Sequence, residues 1–307
     1  MTTTLRPALE PGALEKFREA GRIARLAREL GVSMIEPGAK LRTVMEAVED
    51  FIRAEGGRPA FPAQTSRNHI AAHYCPSPED DLVYQAEDMV KIDIGVEVDG
   101  YIADNAQTKY LGAKPFYQGM VDASAAALAA AMDIAGPGVE VRKISAAIEE
   151  AITSRGYTPV YNLTGHGVAR WKVHTAPQIP ATPDSYGHDT LEEGMVIAIE
   201  PFATDGRGTV HEQGRSEIFM MHREPRKMKG IDAAVWKQIE AMNGLPFARR
   251  TFLNCTAEAI ESTIARLLRT HSLMSFPPLV DPNPEARVAQ TEHTMVVTAD
   301  GVEATTA

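Results

Sequence analysis

The chain has 307 residues, with 41 Asp and Glu against 31 Lys and Arg, a formal net charge of −10 and a pI near 5.4. This acidity argues against unassisted binding to nucleic acid or to an anionic membrane, and solubility explains it better. The hydrophobic fraction of 44% is that of a globular protein, and the length allows one large domain or two ordinary ones with a substantial core.

Cysteine usage and the N-terminal sequence bear on the cellular compartment. Cys75 and Cys255 lie far apart without metal-ligand spacing, so we predict free thiols in a reducing cytosol. The start, MTTTLRPALEPG, has no apolar core of signal-peptide length, and no apolar run approaches the ~20 residues that cross a bilayer. We therefore expect a cytoplasmic protein without a membrane partner.

An internal repeat is the first organised feature along the chain. The segment PGAKLRTVMEAVEDFIRAEGG from Pro37 aligns without a gap with PGVEVRKISAAIEEAITSRG from Pro137. Apolar residues recur in both at helical spacing, and a further helical stretch precedes each copy, at residues 14–30 and 121–135. Two amphipathic helices can resemble each other by chance, but the shared Pro-Gly start and closing Gly favour two related helix–helix–strand halves.

The predicted strands carry four carboxylates. KIDIGVEVDG alternates and ends in an Asp-Gly turn before YIADNAQTKYL, which predicts a hairpin with Asp93 and Asp104 on the same face. MVIAIEPFA contains Glu200 and also predicts a strand, as does HTMVVTADGVEAT, which follows Glu292 and turns at Asp300-Gly301. In a strand around Glu292, Gln290 and Thr294 share the face of the carboxylate, whereas His293 points away and is assigned a structural role.

The sequence between the strands of Glu200 and Glu292 has a different character. It contains a basic stretch, two helical stretches and a Pro-rich return, without obvious catalytic chemistry. We predict that residues 221–276 form an inserted helical subdomain within a single catalytic domain of residues 1–307.

The four carboxylates, Asp93, Asp104, Glu200 and Glu292, each interrupt apolar sequence, where an unpaired charge would be costly. A metal ion would make such burial tolerable, and an ion pair with Arg or Lys is the structural alternative. Together with His166, which lies between glycines in TGHG, these ligands suit hydrolytic divalent metals. One ion would leave a strongly negative pocket, so we predict two, which bridging carboxylates hold roughly 3.5–4 Å apart. The pattern predicts a dinuclear metallohydrolase.

The sequence contains no other motif that indicates a different catalytic chemistry. His69 and His73 have the spacing of a zincin pair, but the Glu of HExxH is missing, and we discount that motif. His174 is close enough in sequence to His166 to reach the same cleft. The chain has no G-x-S-x-G elbow, no Walker loop and no dinucleotide fingerprint.

Seven segments in a fixed order resemble the motifs of the methionine aminopeptidases: GRPAFP, NHIAAHY, KIDIGVEVDGYIAD, NLTGHG, KVHTAPQIP, AIEPFAT and QTEHT. The resemblance runs from about residue 14 to the C-terminus. It is greatest with the type 2 enzymes in their short archaeal form, because this chain has the long insertion before the last glutamate and no long charged N-terminal extension. The resemblance implies the pita-bread α/β fold with two pseudo-twofold-related halves, in agreement with the repeat.

The resemblance assigns each predicted ligand a role. Asp93 would chelate one metal, and Asp104 and Glu292 would bridge two. His166 and Glu200 would complete the coordination of the second metal. The metal itself is not specified by this ligand set, since Co, Mn, Fe, Ni and Zn would all be accepted.

The resemblance also implies the residues that handle the substrate. His73 and His174 would hydrogen-bond the substrate and the developing tetrahedral intermediate, and Glu200 would shuttle a proton. The pocket for the methionine side chain would be lined by Phe61, Val173 and Phe276. Two positions depart from the family pattern, since Phe276 stands where the family often has Tyr, and Thr291 stands where Phe is common.

The implied activity is removal of the N-terminal methionine from nascent proteins whose second residue is small. A monomer without direct nucleic-acid contact is expected, and contact with the ribosome is left open. Two alternatives remain. An X-Pro aminopeptidase or prolidase shares the five-ligand scheme but usually carries an additional N-terminal domain. A metal-free pita-bread binding protein would have lost ligands, whereas all five are present here.

Overall fold

The computed structural model describes residues 9–183 and 189–307. Within those residues the α-helices are Ala13–Met34 (α1), Leu41–Ala54 (α2), Pro115–Ile134 (α3), Val141–Thr153 (α4), Ala233–Ala241 (α5) and Ala257–Arg269 (α6). A short 3₁₀ helix spans Arg249–Thr251. None of the described helices combines the length and the apolar content needed to cross a bilayer.

The strands within the same residues are Arg58–Pro59 (β1), Gln64–Arg67 (β2), Ile70–Ala72 (β3), Met89–Val98 (β4), Tyr101–Tyr110 (β5), Thr158–Pro159 (β6), Thr164–Ala169 (β7), Lys172–Pro180 (β8), Val196–Ile199 (β9), Phe202–Thr204 (β10), His211–Glu212 (β11), Ile218–Met221 (β12), Phe247–Ala248 (β13), Leu273–Phe276 (β14), Leu279–Val280 (β15), Val288–Thr298 (β16) and Gly301–Ala304 (β17). Eleven of them form one antiparallel sheet, whose main order is β1-β4-β5-β16-β9-β7-β8.

The two copies of the repeat are the helices α2 and α4. Each follows a Pro-Gly turn in which the glycine has a positive φ, 92° at Gly38 and 82° at Gly138, a conformation that favours glycine. The apolar stripe of each helix is buried against the sheet, and each buried Leu, Ile or Val side chain contributes about 1.5–3 kcal/mol. α1 precedes the first copy in the chain and α3 precedes the second, in equivalent positions. The prediction of two related halves in a mixed α/β fold is therefore confirmed.

The hairpin of β4 and β5 forms as predicted. Its turn residues Asp99 and Gly100 have φ angles of 53° and 85°, the two positive values that a tight hairpin turn requires. The hairpin of β16 and β17 differs by one residue from the prediction. Its register pairs Thr298 with Gly301, so the turn residues are Ala299 and Asp300, and the glycine begins the next strand.

The strand prediction for MVIAIEPFA is wrong at its centre. β9 ends at Ile199 and β10 begins at Phe202. Pro201 has no N–H and cannot donate to a ladder, so the pairing with β16 is interrupted at Glu200 and Pro201 and resumes in the same register at Phe202, opposite Gln290. Glu200 therefore lies in a break between two strands and not inside one.

The segment 221–276 contains α5 and α6 but also strands. β13 and β14 flank β12 in a small antiparallel sheet, which the sequence did not indicate because β13 has only two residues and β14 four. The two helices and this sheet share an apolar core that includes Val235, Phe247 and Leu267. The description "helical" therefore covers only part of the segment.

Two threonine hydroxyls, of Thr108 and Thr294, link β5 and β16 beyond their short ladder, and Thr294 is the one that contacts Asp104. β16 pairs with β5 only over residues 291–293. Beyond that point the Thr294 hydroxyl donates to the carbonyl oxygen of Asp104 at 2.9 Å and accepts from its N–H at 2.8 Å. The hydroxyl thus replaces the missing ladder and fixes the backbone of Asp104.

Replacing Thr294 by Val should therefore destabilise the protein by about 1–3 kcal/mol, because two buried backbone groups lose their partner while the side-chain volume is kept. Urea denaturation gives the free energy of unfolding. Thr298→Val, the same change at the partly exposed end of the strand, is the control and should stay within about 0.5 kcal/mol of the parent protein. Equal losses in both variants would contradict this account of Thr294.

Candidate metal centre

A cavity of about 1290 Å³ opens on the face of the large sheet that the helices leave free. Its walls include all ten residues that the sequence predicted for the site, namely Phe61, His73, Asp93, Asp104, His166, Val173, His174, Glu200, Phe276 and Glu292. Residues more than 200 positions apart in the chain therefore share one cavity.

Strand register explains why the carboxylates meet. Asp93 on β4 lies opposite Ala106 on β5, and Ala106 lies opposite Glu292 on β16. Asp104 is two residues before Ala106 and therefore points to the same face. The small Ala106 side chain leaves the space between the carboxylates open.

Three ligand atoms already lie in a cluster suited to a cation. One side-chain atom from each of Asp104, His166 and Glu292 can be chosen so that all lie within 4.8 Å of one another. His166 Nε2 is 3.8 Å from a carboxylate oxygen of Asp104 and 3.8 Å from one of Glu200. These four side chains therefore surround a common volume.

Several carboxylate oxygens in the cavity have no protein partner. Asp93 Oδ1, Asp104 Oδ1 and Glu292 Oε1 are buried and accept no hydrogen bond. Among the residues that the structure describes, no Lys or Arg forms an ion pair with any of the four carboxylates, which removes the structural alternative. Unpaired buried charges are costly, and hard oxygen donors are the ligands that divalent cations take. The donor set thus fits a divalent metal.

Electrostatics in the cavity agree with this fit. Burial raises the pKa of Asp93 to about 7. Burial, reinforced by repulsion from neighbouring carboxylates, also raises the pKa of Asp104, Glu200 and Glu292 well above their ordinary values. A cation in the cavity would stabilise the charged forms, since it would oppose both effects.

Gln290 is a member of the site to which the sequence assigned no role. Its Nε2 donates to a carboxylate oxygen of Glu200 at 3.3 Å, and its side chain partly opposes the rise that burial causes in the pKa of Asp93. One amide therefore acts on two of the carboxylates. In the sequence, the alternation of side chains along the strand already placed Gln290 on the same face as Glu292. That alternation was the feature from which its place in the site could have been predicted.

The histidines of the cavity are uncharged near neutral pH. Burial lowers the pKa of His166 to about 3 and that of His73 to about 4, and it also lowers the pKa of His174. His166 Nδ1 lies 3.1 Å from the carbonyl oxygen of Gly167, which can only accept, so Nδ1 carries the proton and Nε2 is a free acceptor facing the carboxylates. The rings of His166 and His174 meet edge to face at 4.3 Å.

His73 is held in an unusual backbone conformation. Its φ of 66° is rare for a non-glycine residue, and such strain is typical of functional positions. Its N–H donates to the side-chain oxygen of Gln64 at 2.8 Å, and its ring meets Phe276 edge to face at 6.0 Å. The segment that carries Gln64 and the strand that carries Phe276 therefore both contact His73.

The apolar part of the cavity is larger than predicted. Phe61 lies directly on Gly95, where a Cβ would come within 2.3 Å of its ring. Apolar residues beyond the predicted ones also line the wall, and three of them are Ile218, Met220 and Pro246. They belong to β12 and to the loop before β13, a region whose sequence carries no chemical signal, so only the tertiary fold identifies them.

The model of metallopeptidase family M24 matches residues 15–299. A methionine aminopeptidase of Archaeoglobus fulgidus is 41% identical over 293 residues, which is 95% of this chain and 98% of that protein. A second, from Pyrococcus horikoshii, is 38% identical over 295 residues, with 95% and 99% covered.

Among solved structures, the crystal structure of methionine aminopeptidase from Thermotoga maritima is similar over 98% of both chains with a TM-score of 0.72. At 22% sequence identity this likeness shows the fold alone. It agrees with the pita-bread architecture that the two helix–helix–strand halves form. From the family match over nearly its whole length and the relatives near 40% identity, this chain belongs to metallopeptidase family M24.

Proposed function

We propose that this chain is a methionine aminopeptidase, a metal-dependent hydrolase that removes the N-terminal methionine of proteins whose second residue is small. The observation that carries the proposal is the meeting of five metal-type ligands and an apolar pocket in one cavity. Full-length relatives at 38–41% identity bear the name of this activity.

Two divalent cations per chain would be held by Asp93, Asp104, His166, Glu200 and Glu292. The charge of four buried carboxylates favours two ions over one, since two would balance it. When bound, the cations would supply Lewis acidity to the peptide carbonyl and would make water a nucleophile near neutral pH. Co, Mn, Fe, Ni and Zn all suit this set, and cellular supply would decide among them.

The protein side chains would move the protons of the reaction. Glu200, with its raised pKa, would accept a proton from the attacking water and deliver it to the departing amine. The C–O bond forms first, the C–N bond of the tetrahedral intermediate then breaks, and the proton ends on the amine of the released peptide. His174, uncharged, would donate N–H to the oxygen on which negative charge develops, and His73 would contact the substrate near the scissile bond.

Selection for methionine would come from the apolar wall. Phe61 and Val173 are 6% and 7% exposed, and Phe276 closes the slot from the opposite side. A slot that fits an unbranched thioether discriminates by about 1–3 kcal/mol per mismatched methylene. Crowding beyond the scissile bond would restrict the second residue to small types.

The finer classification belongs to the same proposal. The insertion of residues 221–276 into a single catalytic domain of residues 1–307 supports the type 2 enzymes in their short archaeal form. We also infer a cytoplasmic monomer that acts on nascent chains, where contact with the ribosome would bring it to its substrate. Free Cys75 and Cys255 are consistent with a reducing compartment.

The two alternatives receive less support. An X-Pro aminopeptidase would use the same ligands, but the full-length relatives near 40% identity are methionine aminopeptidases. A metal-free binding protein would not need to keep buried carboxylate oxygens without partners, as Asp93, Asp104 and Glu292 do.

The metal-loaded protein should release methionine from Met-Ala-Ser and should cleave Gly-Pro peptides far more slowly. Asp104→Ala removes a ligand shared by the cluster and should lower kcat/KM by at least ~100-fold. Asp50→Ala, at a carboxylate that is 79% exposed on α2, is the control and should retain full activity. Preference for Gly-Pro, or unchanged turnover in Asp104→Ala, would refute the proposed function.

Metal affinity should rise with pH. Because Asp93 of the metal-free protein holds its proton up to about pH 7, a cation must displace that proton below pH 7. The affinity for Mn²⁺ should therefore increase by about tenfold per pH unit for each proton displaced between pH 6 and 7. Calorimetry in buffers of different ionisation enthalpy measures both quantities, and an affinity independent of pH from 6 to 8 would contradict the prediction.

A further inference from the structure

The proposed methionine pocket has two walls from distant parts of the chain. One wall carries Phe61, which precedes β2, and His73, which follows β3. The other wall carries Ile218 and Phe276, from β12 and β14 of the small sheet. In the described residues no strand pairing joins the small sheet to the large one, and β15, which begins three residues after Phe276, pairs with β3, which ends just before His73. This pairing fixes the walls at one edge only, so side chains must set the distance between them elsewhere.

A buried arginine joins them. Arg250, in the 3₁₀ helix that directly follows β13 of the small sheet, has a side chain that is only 4% exposed and contacts four groups that lie behind the first wall. Its Nη2 donates to Glu49 Oε1 at 2.5 Å and to the carbonyl oxygen of Ala63 at 2.8 Å. Its Nη1 donates to the Cys75 sulfur at 2.5 Å and to the carbonyl oxygen of Pro76 at 2.9 Å. We refer to these five residues as the Arg250 network.

Glu49 closes the network from the helix side. The same Oε1 that accepts from Arg250 also accepts the N–H of Ala63 at 3.0 Å, so both backbone groups of Ala63 are satisfied by this ion pair. Burial raises the pKa of the Cys75 thiol to about 11, so the thiol is uncharged and Glu49 supplies the only negative charge within the network. A planar, five-donor guanidinium is needed to reach all four acceptors at once.

The network is directly connected to the pocket. Ala63 lies two residues from Phe61 and next to Gln64, whose side chain accepts the N–H of His73. Cys75 lies two residues after His73 on the other side. Phe276, on the second wall, meets the ring of His73. A shift of Arg250 would therefore move the two walls relative to each other.

We propose that Arg250, held by Glu49, is a positioning residue that sets the width of the methionine pocket and with it the selectivity for an unbranched side chain. The inference rests on the proposed function, since it assumes that this pocket takes methionine. Arg250 is not a catalytic residue, because it touches neither the cavity ligands nor the space for the substrate.

The chain provides a matched control in the neighbouring residue. Arg249 is in the same 3₁₀ helix and also pairs with carboxylates, at 3.0 Å from Glu217 and 2.5 Å from Glu261. It donates in addition to the carbonyl oxygen of Ser216. All of these partners lie on the side of the small sheet and α6, so Arg249 holds that part together without reaching the first wall.

The test compares Arg250→Lys and Arg249→Lys in the full-length, metal-loaded enzyme on Met-Ala-Ser and Leu-Ala-Ser. Lysine keeps the charge but cannot reach four acceptors. For Arg250→Lys we expect KM for Met-Ala-Ser to rise about tenfold with kcat within about twofold, and the Met-to-Leu ratio of kcat/KM to fall about tenfold. Arg249→Lys should lower the melting temperature but leave that ratio unchanged.

A second variant and a second readout keep the test decisive. Glu49→Gln preserves the shape and the acceptor for Ala63 while removing the charge, and it should shift selectivity in the same direction if Arg250→Lys does not fold. Binding of free L-methionine and L-leucine, measured by calorimetry, reports on the pocket without turnover and should show the same loss of preference.

The outcomes separate the two claims. A parent enzyme that binds methionine but does not release it from Met-Ala-Ser would refute the proposed function. The positioning role of Arg250 would then be tested by the binding of L-methionine and L-leucine alone. Unchanged selectivity in both Arg250→Lys and Glu49→Gln, or an equal loss in Arg249→Lys, would overturn the role of Arg250. A parent enzyme without preference for methionine over leucine in binding would overturn both.

Discussion

Four carboxylates lie close together in one buried cavity, and the arrangement of the rest of the site depends on them. Asp93, Asp104, Glu200 and Glu292 repel one another, and burial deprives them of water, so each holds its proton more tightly than an exposed acid would. The fold tolerates this arrangement because strands of the large sheet hold Asp93, Asp104 and Glu292, and Glu200 lies in the short break between β9 and β10. The same arrangement gives the cavity its affinity for cations and therefore its chemistry.

The opposite face of the sheet supports these positions. Asn105 and His293, the neighbours of Asp104 and Glu292 in sequence, point away from the cavity because side chains alternate along a strand. The buried Arg28 of α1 donates to Asn105 Oδ1 at 2.9 Å and lies 3.4 Å from His293 Nδ1, which also contacts the Thr306 hydroxyl at 2.9 Å. A polar layer behind the sheet thus holds the strands whose other face carries the ligands.

Much of this architecture was predictable, because it depends on local periodicity. The helical repeat located the two halves, and the alternation in β4 and β5 placed Asp93 and Asp104 on one face. The break at Pro201 was missed because the apolar run continues through it, and only pairing shows where a strand ends. Arg250 was not recognisable at all, since its partner Glu49 lies 201 residues away and neither residue differs in sequence from an ordinary surface charge.

The sheet has a narrow junction between its halves, and the candidate ligands lie across it. β5 and β16 pair over three residues only, with Asp104 on one side and Glu292 and His166 on the other. A cation shared by these side chains would act as a cross-link between the duplicated units. The free energy of binding this cation would then add to the free energy of unfolding of the whole protein. Higher occupancy of the site would therefore make the protein more resistant to unfolding.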